Sequence, residues 1–162
     1  MKKIHSKFDD SFYELSLEEG IDLTAKCIKS GNNTLIHIGI HLLALRRDEL
    51  DPYHFKFFDE FLNHFVGWGN VDHFCGSILR SIIKRYQNEV ITLLRKWNRS
   101  YNMWKRRASV VVLTRRIAKD GEFIDEALEL CENLIWDEED LVRKGVGWAL
   151  KDNMKSDKKR VL

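Results

Sequence analysis

The chain has 162 residues, 44% of them hydrophobic, enough for one domain with a core of its own. No apolar run approaches the ~18 residues a membrane span needs, and the N-terminus (Met1, Lys2, Lys3, then polar residues) lacks an apolar signal core. Three widely spaced cysteines, Cys27, Cys75 and Cys131, argue for reduced thiols in a cytoplasmic protein, against a disulfide framework or zinc site.

A loose arm is expected over residues 1–15. Ser16-Leu17-Glu18-Glu19 has a capping-box pattern, which predicts a helix from near Ser16 to Gly31. Further helices are expected over 33–47, over 52–66 with Pro52 in its first turn, and over 70–86 after the break at Gly67 and Gly69. Shorter ones follow over 88–97, 102–119, 123–136 and 138–154, and the polar tail 155–162 is expected to fray.

Alternate helices repeat. Leu35, Val71, Trp104 and Leu141 lie 36, 33 and 37 residues apart, each followed four positions later by a small residue (Gly39, Cys75, Ala108, Gly145). A small residue there lets a neighbouring helix approach closely. The register predicts an all-α fold of HEAT-like helical-hairpin repeats, a short curved α-solenoid spanning 1–162 as one domain, rather than a plain bundle.

The net charge of +2 conceals an asymmetry. Arg80 to Lys119 holds twelve Lys/Arg and one acid, Glu89, so this segment carries +11 and the remainder −9. Clustered cations attract polyanions. The second helix of each pair should face inward, and three of them carry cations: Arg80, Lys84 and Arg85; Lys105, Arg106 and Arg107; Arg143, Lys144 and Lys151. A basic concave face of this kind suits a duplex.

Five tryptophans punctuate the chain. Trp97 and Trp136 are most simply core, and Trp104 occupies the repeated packing position. Trp68 and Trp148 adjoin glycines and charges. Trp68 precedes Asp72 by four residues, and Trp148 shares a helix face with Lys144 and Lys151. Asp72 near a helix start could simply meet the helix dipole. On a basic inner face, however, a carboxylate repels phosphate, and it makes sense there where it serves a developing positive charge. His37 and His41 are four apart on one helix, as two metal ligands would be, but no third ligand follows at a recognisable spacing.

Three segments together resemble the HEAT-like-repeat alkylpurine glycosylases of the DNA alkylation repair family: Gly67-Trp68-Gly69-Asn70-Val71-Asp72, Asn102-Met103-Trp104-Lys105-Arg106-Arg107-Ala108, and Val142 to Lys151. The similarity covers most of residues 17–154. It implies excision of positively charged N3- or N7-alkylated purines from double-stranded DNA, without metal or other cofactor. It makes Asp72 the catalytic carboxylate, sets Trp68 and Trp148 against the sugar of the lesioned nucleotide, and gives Arg107 or Arg106 a phosphate, with Lys105, Arg143, Lys144 and Lys151 as further DNA contacts. The chain is shorter than typical members by what would be an N-terminal helix pair and a C-terminal repeat, so weaker, more salt-sensitive binding is expected. Lys151 stands where the family has arginine, and Gly67 where a second tryptophan is common. A monomer associated with the nucleoid is expected. A non-catalytic DNA-binding solenoid and a protein–protein scaffold are the alternatives; the second predicts no salt-dependent DNA affinity.

Overall fold

In the computed structural model, which describes residues 11–162, Ser16 opens the first helix as its sequence predicts. The Glu19 N–H donates to the Ser16 hydroxyl at 3.2 Å and the Ser16 N–H to the Glu19 carboxylate at 2.8 Å. This reciprocal cap satisfies two N–H groups that a first turn leaves bare. Helix α1 (Leu17–Lys29) turns at Gly31, φ 68°, into α2 (Asn33–Leu45), capped by Asn32. The expected 52–66 helix is broken into 3-10 turns at Pro52–His54 and Leu62–His64 around α3 (Phe55–Phe61). Helix α4 (Trp68–Phe74) runs through a π-helical stretch, Cys75–Leu79, into α5 (Arg80–Ile82). Then come α6 (Gln87–Asn98), α7 (Met103–Val111), α8 (Arg116–Asp120), α9 (Ile124–Glu132), α10 (Asp140–Asn153) and α11 (Lys158–Val161). No strand occurs among the described residues.

The helices stack in pairs. The second members α2, α4, α7 and α10 pack in succession, each on the next, and the first members α1 on α3 and α6 on α9 form the other layer. Phe58, Phe61, Phe74, Trp97 and Phe123, with aliphatic neighbours, fill the space between layers. Burying each such side chain contributes about 1.5–3 kcal/mol. Side-chain hydrogen bonds carry the same period. Asn70 reaches Asn33, Trp97 reaches Asp59, Asn98 reaches the Leu130 carbonyl and Asn153 reaches that of Leu113, 32 to 40 residues away. The small residues fit two different neighbours. A Cβ on Gly39 would lie 2.9 Å from Cys27 Cβ in its own pair, whereas one on Gly145 would meet Val110 and Val111 of the preceding repeat at 3.4 Å.

The helix expected over 102–119 stops at Val111. Arg80 explains how the chain can leave the helix here. Its guanidinium donates to the carbonyls of Val111 and Val112 and to the Thr114 hydroxyl, taking up acceptors freed at the helix end. Arg115 then adopts φ 57°, ψ −122°, the one non-glycine with positive φ among the described residues.

Of the arm expected over 1–15, residues 1–10 lie outside the described residues. Phe12 is buried against Gly20, and the Tyr13 hydroxyl donates to the Leu45 carbonyl. In the tail, Asp157 caps α11 and Arg160 pairs with Asp125. Trp136 is not core: it is 90% exposed, because it falls in the turn between α9 and α10. Trp97 is fully buried, as expected.

Candidate nucleic-acid interface

The basic segment divides into two populations. Eight of its cations are spent within the fold. Lys84 pairs with Asp120, Arg95 with Glu129, Lys96 and Lys105 with Asp59, Arg106 with Asp137 and Arg107 with Asp72. Arg80 and Arg85 hold backbone carbonyls, the latter those of Arg47, Asp48 and Leu50. Most of these partners sit one repeat away, so the charges join neighbouring repeats. Arg99, Arg115, Arg116 and Lys119 are exposed, and no ion pair to a carboxylate holds any of them among the described residues; of these four, the last three line the clefts that Trp148 borders. Asp120, the acid whose charge Arg116 and Lys119 feel, is occupied by Lys84 at 2.7 Å.

Asp72 lies on α4 with its side chain 19% exposed. Arg107, from the next repeat, grips it with two parallel bonds of 3.1 and 3.0 Å. A third bond from Arg107 goes to the Leu141 carbonyl at the start of α10. Three successive second helices are thus tied together through one guanidinium. This fork fixes the plane of the carboxylate. Asp72 also borders an open cleft of about 890 Å³, lined too by His73, Arg80, Arg115, Arg116 and Trp148. An adjoining cleft of about 700 Å³ is lined by Arg115, Arg116, Lys119, Asp120, Trp148, Asp152 and Lys155. The shared residues make the two a continuous groove. It presents guanidinium groups, an indole and three carboxylates, of which Asp72 is held by Arg107, Asp120 by Lys84 and Asp152 by Lys155. Such a surface attracts phosphate while holding its negative charges in paired, fixed positions.

The remaining residues singled out from sequence are placed differently. Trp148 borders both clefts, with the Arg115 guanidinium 5.2 Å from its ring centre. Trp68 is 56% exposed at the start of α4, outside the lining of either cleft. Lys105 is buried on Asp59, and Arg106 is committed to Asp137 and to the carbonyls of Ser100 and Tyr101, so the donors of both are taken up internally. Arg143 donates to the carbonyls of Asp137 and Glu138, and Lys144 pairs with Asp140. Lys151 is exposed. Reading the sequence missed Arg115, Arg116 and Lys119, because the turn that presents them interrupts a segment compatible with a continuous helix.

His37 does not act with His41 alone: it stacks on His73, ring centres 5.2 Å apart, with their Nδ1 atoms at 3.0 Å. Burial, together with His37 and His41, pushes the His73 pKa down to about 4, so its imidazole is neutral at pH 7. Among the described residues no group of three His, Cys, Asp or Glu could hold a metal ion. Burial pushes the Cys75 thiol up to about 12, which leaves it protonated and a poor nucleophile. No described helix is long and apolar enough to cross a membrane. No curated protein matches the sequence. The family model described as DNA alkylation repair enzyme matches residues 1–162, and the chain belongs to that family.

Proposed function

We propose that the chain is a DNA glycosylase that excises positively charged N3- or N7-alkylated purines from double-stranded DNA. The observation that carries this reading is the Asp72 carboxylate, held rigid by Arg107 at the edge of a cationic groove that also presents Trp148. In a cationic alkylpurine the glycosidic bond is already weakened. When it breaks, its electron pair leaves with the base, which departs neutral, and positive charge develops at the sugar carbon. A fixed carboxylate stabilises that charge and can position the water that captures it. The water's proton then passes to solvent. Because Arg107 holds Asp72 in one orientation, little reorganisation is needed as charge develops. Trp148 offers a ring face to the sugar, and the flanking cations hold the backbone.

Release of 7-methylguanine or 3-methyladenine from methylated duplex DNA tests the reading. The wild type should release one or both, and Asp72→Asn should abolish release. Release no greater than that of Asp72→Asn overturns it. A second reading is DNA binding without catalysis. It is favoured by the bidentate Arg107 contact, which occupies both Asp72 oxygens, and by the position of Trp68 away from the cleft lining. It predicts duplex binding that survives Asp72→Ala.

A further inference from the structure

Asp152 has no part in the mechanism above, yet it is almost fully buried beside the groove. Its Oδ2 accepts the Arg115 backbone N–H at 2.9 Å and its Oδ1 the Lys155 ammonium at 2.8 Å. One carboxylate on α10 therefore holds the backbone of the residue whose guanidinium leans over Trp148, the indole on the same helix that borders the cleft. Arg115 needs such an anchor. Its backbone angles, φ 57° and ψ −122°, are ones that side-chain-bearing residues rarely adopt. Strain of this kind persists where surrounding structure enforces it, and it concentrates at sites of function. Without the bond to Asp152 the turn would relax, and the Arg115 side chain would leave the Trp148 ring.

We infer that Asp152 is a positioning residue, which fixes Arg115 over Trp148 so that Arg115, with Arg116 and Lys119, grips a backbone phosphate of duplex DNA beside the cleft. Three features support it together. With Arg99, which lines neither cleft, these cations are the exposed ones of the basic segment that no ion pair to a carboxylate holds among the described residues. They lie in one groove with Asp72 or directly adjoining it. And a buried carboxylate is spent on orienting the first of them, where an ordinary turn would use glycine. A cation fixed before binding loses less freedom on contact with phosphate than one on a mobile stem. The inference rests on the duplex-binding half of the proposed function and is independent of base excision.

The test is equilibrium binding of an undamaged duplex oligonucleotide between about 50 and 200 mM salt. Each phosphate contact contributes about 0.9 to the slope of log affinity against log salt. Arg115→Gly removes the cation, keeps the turn permitted, and should lower the slope by about one contact. The affinity ratio across that salt range then shrinks about 3-fold. Asp152→Ala should lower the slope equally, the Asp152→Ala/Arg115→Gly pair no further, and Asp152→Asn, which keeps a carbonyl acceptor, should restore part of it. Partial unfolding would scale apparent affinity without altering the slope, so the slope separates positioning from mere stability. A wild-type slope in Arg115→Gly overturns the phosphate contact. A wild-type slope in Asp152→Ala, or additive losses in the pair, overturns the positioning role. Absent excision with these slope changes intact would count against the glycosylase reading alone.

Discussion

Replacing Arg106 with alanine distinguishes a cation that grips DNA from one that joins repeats. The side chains of Arg106 and Asp137 are 11% and 6% exposed, and two bonds of 2.6 and 3.0 Å connect them. Two further Arg106 bonds, each 3.0 Å, hold the carbonyls of Ser100 and Tyr101. Arg106→Ala would therefore leave a buried carboxylate with the Glu139 N–H but no countercharge from Arg106, and two carbonyls without the guanidinium. Removing one partner from a buried pair costs about 3–5 kcal/mol. A domain of this size is stable by about 5–15 kcal/mol, so the loss is severe, a fall in Tm of roughly 6–20 °C. Urea unfolding should show a lower midpoint at unchanged slope. Replacing both residues with leucine removes the stranded charge and should recover most of the loss. A single-variant cost under about 1 kcal/mol, the value of an exposed pair, would refute the structural role, as would a double variant no better than the single one.

Other consequences follow from particular contacts. Gly39→Ala should destabilise by about 1–3 kcal/mol, because its Cβ would press on Cys27 Cβ and the Thr24 carbonyl at 2.9 and 3.2 Å; Gly145→Ala, with 3.4 Å neighbours, should be neutral or stabilising in the same thermal melt. Arg115→Gly should raise stability by about 1 kcal/mol in chemical denaturation, since glycine takes positive φ without penalty, and a loss would show the angles to be unstrained. His73 binds its proton near pH 4 when folded but near 6.5 when unfolded. The unfolded state thus takes up more protons in that window, so stability should fall as pH drops from about 6.5 toward 4, by on the order of 1 kcal/mol after solvent screening; denaturation of His73→Gln at pH 7 and 5 should show a smaller difference. Burial alone would raise the Asp137 pKa, but its bonds from Arg106 and the Glu139 N–H hold it below the usual value. Its contribution is present above the ordinary carboxylate range and lost as pH falls through its lowered pKa, so Asp137→Asn should flatten acid unfolding in that lower window.

The repeat was legible because one residue type recurs for one reason: Gly39, Cys75, Ala108 and Gly145 each admit a close neighbour, and the period they mark returns in the hydrogen bonds between repeats. Ser16 was legible because a cap is local. Asp72 and Arg107 were both legible as candidates, but their bond was not, since nothing in the order of residues says that a side chain 35 positions away meets it. The charge distribution misled for the same reason. The +11 of residues 80–119 suggested a phosphate-binding surface, yet Asp59, Asp72, Asp120, Glu129 and Asp137, counted within the acidic remainder, pair with six of its twelve cations. A segment's charge becomes a potential at the surface only after the fold has paired what it can. What survives pairing at the groove is three cations at a turn, and the turn exists because Arg80 takes the carbonyls at the end of α7 and Asp152 holds the next N–H. The cations that looked most suited to DNA, Lys105 and Arg106, shape the scaffold, and the surface that can meet a phosphate is set by a break in a helix.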